Sequence, residues 1–189
     1  MGQGGRLGPG VRGPVGGFAG FDALDRQFDH SSPPARRRCK KGGPDNAIGR
    51  SRGGLSTKIN ALVDQDGLPL RITLSAGQAS DKTAVEALID GLKPAKALVA
   101  DRGYDAQAIL DLVRSHGGCA HIPTQKDRKV QRSIDPTIYR QRNVVERYFC
   151  KLKHFRRVAT RFDKLARKFL AAVLLASTRL WLRAYESRT

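Results

Sequence analysis

One carboxylate lies within a strongly basic stretch in the last third of the chain. Tyr139, Arg142, Glu146 and Lys153 are spaced as Y-x2-R-x3-E-x6-K. On a helix, intervals of four and seven residues bring Arg142, Glu146 and Lys153 onto one face. The 31 residues that begin with Tyr139 contain 11 Lys or Arg but only two acids, Glu146 and Asp163. This pattern predicts a positive surface around one carboxylate, which suits the binding of phosphate groups.

Arg142 and Glu146 also have a purely structural interpretation. Residues four apart on a solvated helix often form an ion pair, which stabilises the helix by ~0.2–0.5 kcal/mol. A self-paired face would carry alternating charges, whereas cations dominate here. The excess of cations therefore favours a functional surface over a helix that only pairs with itself.

Asp101 is the second acid whose position predicts chemistry. It follows the short apolar run Ala97-Leu98-Val99-Ala100 and precedes Arg102-Gly103-Tyr104. Open α/β sheets place their functional groups at the carboxyl ends of central strands. An Asp at this point can equally cap the turn or helix that follows, and its position alone does not separate the two roles.

The charge of the chain indicates its class of partner. With 35 Lys plus Arg and 17 Asp plus Glu among 189 residues, the formal charge is +18. Such a charge predicts a polyanion, either nucleic acid or an anionic membrane surface. The longest uncharged apolar stretch, Phe169 to Thr178, is far shorter than the roughly 20 residues that span a bilayer. We therefore expect no membrane association.

The cysteines and the first residues indicate the compartment. Cys39, Cys119 and Cys150 are odd in number and unclustered, so neither a disulfide framework nor a zinc site is predicted. The Gly-rich start lacks the apolar core of a signal peptide. We expect a reduced, cytoplasmic protein.

Composition changes near residue 50. The first 50 positions hold 12 of the 20 glycines and 5 of the 9 prolines, and neither helical nor strand periodicity is present from Gly2 to Gly20. We therefore predict that this arm is mostly irregular. With 40% hydrophobic residues in the whole chain, the remainder is long enough to bury a core.

Beyond the arm, the apolar pattern predicts a hairpin followed by alternating helices and strands. The hairpin turns at Asp64-Gln-Asp-Gly67. Such an order predicts an α/β fold, a mixed sheet with helices packed on it. The expected strands are 56–63, 68–74, 97–100 and 119–122, and the expected helices are 81–93, 106–115, 143–155 and 163–185.

Several segments, in the same order, resemble bacterial insertion-sequence transposases of the DDE class. The resemblance covers residues 41 to about 183 and includes the Tyr139 to Lys153 signature. The other matching segments are Arg50-Ser-Arg-Gly-Gly54, Gly77-Gln78-Ala79 with Asp81, Asp101-Arg-Gly-Tyr104, Arg156-Arg157 and Thr160-Arg161.

This resemblance implies an RNase H-like core that binds two divalent ions, Mg²⁺ or Mn²⁺, through two aspartates and one glutamate. Asp101 corresponds to the second acid and Glu146 to the third, so both are expected to be catalytic metal ligands. The implied partner is double-stranded DNA at the transposon ends and the target, in the nucleoid. The residues expected to contact DNA are Tyr139, Arg142, Lys153, Arg156 and Arg157.

The chain departs from this family before Lys41. The first aspartate of the family lies in a strand that reads roughly D-S-S or D-S-T, followed by R-A-H-x-H, shortly before a K-G-G-P run. Here that run is Lys41-Gly-Gly-Pro44, but the residues before it do not match. Asp22, Asp25 and Asp29 are available acids, although none lies in a predicted apolar strand.

A shifted reading frame accounts for the departure. If Phe21 to Ala35 are written with suitable allowed codons, reading one base later gives S-M-R-W-I-D-S-S-I-I-R-A-H-Q. We therefore hypothesise that residues 1–40 are a disordered, out-of-frame arm, that residues 41–189 form a partial catalytic domain, and that the sheet lacks its first strand. The other half can come from the upstream frame, and a homodimer is a further possible assembly.

Two other functions compete with an active transposase. Without its first acid the chain can be a catalytically dead, basic DNA-binding remnant of a transposase, so its activity as an enzyme is left open. A ribosome-associated or RNA-binding protein is the less supported alternative. It does not require the Tyr139 to Lys153 spacing, and aromatic residues make up only 6% of the chain.

Overall fold

Six strands form one mixed sheet in the computed structural model, which describes residues 15–24, 46–51, 54–92 and 96–187. The sheet runs in the order β2-β3-β1-β5-β6, and β4 pairs with β3 off this path. β2 and β4 pair antiparallel with β3, as β3 does with β1, whereas β1, β5 and β6 are parallel. The strands are β1 Val15–Leu24, β2 Gly49–Ser51, β3 Gly54–Val63, β4 Pro69–Ala76, β5 Ala97–Val99 and β6 Cys119–His121.

The predicted hairpin is confirmed as β3 and β4. The Asp64 carboxylate accepts hydrogen bonds from the backbone N–H groups of Asp66 and Leu68, at 2.9 and 2.8 Å. Gly67 adopts a φ of +80°, a conformation that side chains other than glycine rarely adopt. The Asp-Gln-Asp-Gly sequence therefore closes the turn through its own side chain and its glycine.

The expectation that the sheet lacks a first strand and that residues 1–40 are disordered is wrong for residues 15–24. β1 occupies the centre of the sheet, with Ala19 opposite Ala61 of β3 and Gly17 beside Val99 of β5. Both faces of the sheet are covered by a core, and a strand in such a sheet needs no alternation of apolar and polar residues, so periodicity does not predict β1. Residues 1–14 and 25–45 lie outside the described residues.

The described residues form six α-helices, of which α1 and α2 pack on one face of the sheet and α4, α5 and α6 on the other. The predicted helices at 106–115, 143–155 and 163–185 are confirmed within a few residues, whereas the first helix is shorter and follows a 3-10 turn, Asp81–Ala84. Described bounds are α1 Val85–Ile89, α2 Gln107–Ser115, α3 Pro136–Tyr139, α4 Asn143–Lys153, α5 Arg156–Ala159 and α6 Ala166–Glu186. Within the described part of the chain, no helix is both long and apolar enough to cross a bilayer.

A separate core lies on each face of the sheet. Leu62, Leu98 and Ala100 pack with α1 and α2 on one face. Ile59, Ala61 and Val63 pack on the other, against side chains of α4, α5 and α6 that include Val145, Tyr148, Leu152, Val158, Phe169 and Val173. Because side chains alternate along a strand, β3 supplies both cores. The α/β prediction of a mixed sheet with flanking helices is thus confirmed at this level.

Candidate active site and basic surface

Asp101 lies just beyond the carboxyl end of β5, beside the central strand of the sheet. Its carboxylate accepts a hydrogen bond of 2.7 Å from the backbone N–H of Gly103 and so caps the 3-10 turn Arg102–Tyr104. The side chain is only partly buried. Of the two roles that the sequence left open, the structure shows the cap, and the functional role of Asp101 stays a prediction.

A second acid, Asp81, lies on the other side of Gly103. A Cβ placed on Gly103 would be 2.9 Å from Asp101 Oδ1 and 4.0 Å from Asp81 Oδ2, so the two carboxylates flank this glycine. Burial, followed by the charges of Asp81 and Asp101, raises the pKa of Tyr104. Lys58 Nζ, on β3, donates a 2.9 Å hydrogen bond to Asp81 Oδ1, so the two side chains form an ion pair that ties Asp81 to the sheet.

Glu146 lies in the first turn of α4, where Arg142 holds it. Arg142 Nη2 is 2.7 Å from Glu146 Oε1, and about half of the Glu146 side chain remains exposed. The guanidinium of Arg142 lies 6.0 Å from the ring centroid of Tyr139. Three members of the predicted signature are therefore in contact along one stretch of chain, while Lys153 is exposed in the last turn of α4.

β1 carries no acid level with Asp101. Gly17 lies beside Val99, so continuing both strands by two residues brings Ala19 level with Asp101. Asp22, the one acid in β1, is opposite Lys58 and three residues further along. At ~3.3 Å per residue, Asp22 is about 10 Å from that level.

The predicted acids have the right chemistry for a divalent ion but are too few among the described residues. Carboxylate oxygens such as those of Asp101 and Glu146 are the ligands that Mg²⁺ prefers. However, the residues that the structure describes include no group of three or more acidic, His or Cys side chains placed to hold a metal ion. These residues fit a magnesium site in type, but they do not complete one.

Asp105 organises the basic loop that follows β6, a role that the sequence pattern did not predict. Its side chain is inaccessible to solvent and contacts Arg128, at 3.1 Å, and Arg132. The backbone N–H of Gln125 donates a third hydrogen bond of 2.9 Å. Burial alone would raise the pKa of Asp105, but this hydrogen bond and the two guanidinium groups together lower it.

Arg156 and Arg157, both predicted to bind DNA, have different surroundings. Arg157 makes a bidentate contact with Asp163, with Nε and Nη2 at 3.2 and 2.9 Å from the carboxylate oxygens. Arg156 is exposed and has no ion-pair partner among the described residues. Only Arg156 of this pair therefore presents an uncompensated charge.

Arg161 is buried and holds the segment before β2 against α6. It donates to the backbone carbonyls of Asn46, Asp163 and Lys164 and to the hydroxyl of Thr57. Its guanidinium lies 4.9 Å from the ring centroid of Phe169. Burial lowers the pKa of Arg161. Thr160-Arg161 is one of the segments that resemble the family, but no sequence pattern predicts this anchoring role, because the partners of Arg161 are mainly backbone carbonyls.

Comparison with known proteins yields one family and two relatives. The family described as Transposase DDE domain matches residues 24–181. A protein named as a transposase for insertion sequence element IS6501 of Brucella ovis is 36% identical over 130 residues, which are 68% of this chain and all of that protein. A protein named as a transposase for IS402 of Burkholderia cepacia is 32% identical over 137 residues, 67% of this chain and 61% of that protein. No solved structure matches.

Proposed function

Because the chain belongs to the DDE transposase family of insertion sequences, we propose that it acts on double-stranded DNA at the ends of such an element. The proposed reaction is metal-dependent hydrolysis of a phosphodiester followed by strand transfer. The observation that carries the proposal is the family match across residues 24–181, which includes both Asp101 and Glu146. The formal charge of +18 supports DNA as partner and the nucleoid as location.

We propose an RNase H-like core in which Asp101 and Glu146 share one side of the sheet. The register of the strands supports this arrangement. Val99 lies beside Gly17, and Gly17 lies opposite Val63, so Val99 is on the same side of the sheet as Val63. Val63 belongs to the core that contains α4. Ala100 packs in the opposite core. Alternation along the chain then supports a position for Asp101 on the side of the sheet that α4 covers.

Two Mg²⁺ or Mn²⁺ ions would stabilise the attacking and leaving oxygens of the phosphodiester when bound. Asp101 and Glu146 are the residues proposed to hold them. Because the described residues do not supply a third ligand, the complete site needs another carboxylate, from a segment outside them or from a second chain. The upstream-frame half of the transposase or a second copy of this chain are the proposed sources.

The basic side chains are proposed to position the DNA. Arg142 directly precedes α4, which carries Glu146 and Lys153, and Arg156 is exposed on α5. Tyr139 supports Arg142 through its ring, and Arg157 is held by Asp163. Phosphate contacts of this kind fix the register of the duplex without reading its sequence.

A catalytically dead DNA-binding remnant is the second candidate function. It is favoured by the register of β1, which brings Ala19 and not an acid level with Asp101. DNA binding depends on many dispersed cations and would survive this loss, whereas the metal chemistry requires all its ligands.

A nicking assay separates the two candidates. The substrate is a supercoiled plasmid that carries the DNA flanking this gene on both sides, in Mg²⁺ or Mn²⁺, with Glu146→Gln as control. Nicking by the chain that is lost in Glu146→Gln supports an active transposase. Binding of the same DNA without nicking supports the remnant, and failure to bind DNA contradicts both.

A further inference from the structure

An open cleft of about 550 Å³ lies beside α5, and Arg156, Arg157, Phe162 and Asp163 line it. We call it the α5 cleft. Its volume falls within the range of ~300–1,000 Å³ that is typical of small-ligand sites. None of the proposed catalytic acids lines it.

Phe162 is the apolar wall of the α5 cleft. The residue is 63% exposed, although the neighbouring apolar residues Val158 and Phe169 are buried. Arg161, the residue before it, is fixed by five side-chain hydrogen bonds, so the backbone that presents Phe162 is anchored to the core. An aromatic ring that is exposed on an anchored backbone offers a flat face to a ligand.

The polar wall of the α5 cleft divides into a fixed cation and an available one. Asp163 has a side chain that is only 8% exposed and holds Arg157 through two hydrogen bonds. Arg156 has no such partner among the residues described. The cleft therefore combines one available guanidinium with one exposed aromatic face.

The surroundings of the α5 cleft favour an anion. Residues 156–168 contain six cations and one acid, Asp163, a net charge of +5. An uncharged apolar peptide would cover Phe162 but leave these cations uncompensated. A nucleotide satisfies both requirements, because every base has a face that stacks on an aromatic ring and every phosphate attracts a guanidinium.

We propose that the α5 cleft binds an unpaired nucleotide, with its base stacked on Phe162 and its phosphate at Arg156. The bases of an intact duplex are already stacked on one another, so an exposed ring is best used by a base outside the duplex. This inference rests on the proposed function for DNA as partner. It adds that the protein holds a single-stranded or extruded nucleotide of that DNA.

Fluorescence anisotropy of the full chain with two probes tests the proposal. One probe is a 12-nucleotide oligothymidylate and the other a 12-base-pair duplex, at one salt concentration. Phe162→Ala is expected to weaken binding of the single strand by about 5- to 150-fold, the effect of losing one stacked base, and to change duplex binding less than about twofold. Phe162→Trp is expected to restore single-strand binding. Leu175→Ala removes another exposed apolar side chain, 72% exposed on α6, and serves as matched control.

A second readout follows the base itself. A 2-aminopurine placed in the oligonucleotide is quenched when it stacks, so Phe162→Ala is expected to remove part of the quenching. Arg156→Gln is expected to weaken the binding of both probes. It should also reduce the slope of log K against log salt concentration by about one, as the loss of one phosphate contact predicts. Arg183→Gln, an exposed cation at the far end of α6, controls for loss of charge.

The outcomes separate this inference from the proposed function. If Phe162→Ala weakens the binding of both probes equally, or of neither, the nucleotide site is overturned. Binding of the duplex by the unmodified chain still supports the proposed function in that case. Competition by polyglutamate that depends on Phe162 would identify an acidic protein as the occupant and also overturn it. Absence of binding to either probe contradicts both proposals. Single-strand preference without metal-dependent nicking supports the cleft and contradicts only the active enzyme.

Discussion

Arg142 Nη2 lies 2.7 Å from Glu146 Oε1, so the central acid of the basic surface is held by one of its own cations. Both side chains remain in contact with solvent, Arg142 at 33% and Glu146 at 52% exposure. A partly exposed pair of this kind is exchangeable. If Glu146 holds a divalent ion as proposed, that ion would take the place of the guanidinium, and Arg142 would then be free to contact a phosphate.

Glu146→Gln is expected to leave the fold nearly unchanged. The lost pair is an i,i+4 contact on a solvated helix, so the free energy of unfolding should fall by no more than about 0.5 kcal/mol. Urea denaturation measures this, with Glu86→Gln on α1 as the matched exposed control. A loss above about 2 kcal/mol would show that Glu146 is a structural residue and would weaken its assignment as a metal ligand.

Asp105→Asn is expected to destabilise the basic loop after β6. The neutral amide cannot hold Arg128 and Arg132 as the carboxylate does, and a buried contact is left incomplete. We expect a loss of about 1–3 kcal/mol in the free energy of unfolding, with faster amide hydrogen exchange at Gln125. Asp111→Asn, whose carboxylate is exposed on α2, is the control. An unchanged exchange rate at Gln125 would contradict this role.

The same carboxylate predicts a dependence of stability on pH. The pKa of Asp105 is lowered from its ordinary value of 3.8, so the unfolded chain binds this proton more readily than the folded one. The stabilisation is therefore complete above about pH 4 to 5 and is lost as the pH falls through the folded pKa. Urea titrations at falling pH should show a smaller decrease for Asp105→Asn than for the unmodified chain. If the free energy of unfolding falls equally with pH in both proteins, Asp105 is not the source of the pH dependence.

Arg161→Lys is expected to lower stability by about 1–3 kcal/mol although it keeps the charge. A lysine ammonium is compact and cannot replace the fork of donors that reaches Asn46, Thr57, Asp163 and Lys164. The midpoint of thermal unfolding measures the loss, and Arg179→Lys on the exposed side of α6 is the control. Equal midpoints for the two variants would remove Arg161 from its anchoring role.

A chain that contains the frame-shifted peptide is expected to gain cleavage. The segment before Lys41 includes β1, so a version that carries W-I-D-S-S-I-I-R-A-H-Q, preceded by the in-frame upstream sequence, is expected to supply both the central strand and the missing carboxylate. Nicking of the flanking DNA in Mg²⁺ or Mn²⁺ should then appear, and Glu146→Gln in the fusion should abolish it while DNA binding persists. Glu146-dependent cutting by the unmodified chain would instead refute the frameshift hypothesis.

Local sequence signals predicted the elements that close through neighbouring residues. The β3–β4 hairpin follows from Asp64 and Gly67, and α4 follows from apolar residues at helical spacing. β1 escaped prediction because a central strand is specified by its partners, Ala61 and Val99 among them, and not by its own periodicity.

The site was predictable only where its contacts are local. The i,i+4 pair of Arg142 and Glu146 can be seen in the spacing itself. The contact between Lys58 and Asp81 joins residues 23 apart, and that between Asp105 and Arg132 joins residues 27 apart. Such pairs depend on how the sheet and the loops fold together, so no short pattern predicts them.

The central position of β1 makes the solubility of the protein depend on which residues begin the chain. β3 and β5 are interior strands only because Val15–Leu24 lies between them. A shorter translation product that began after Leu24 would turn both into edges with rows of unpaired N–H and C=O groups, which invite pairing between molecules. Such a product would be expected to aggregate before any loss of chemistry could be measured.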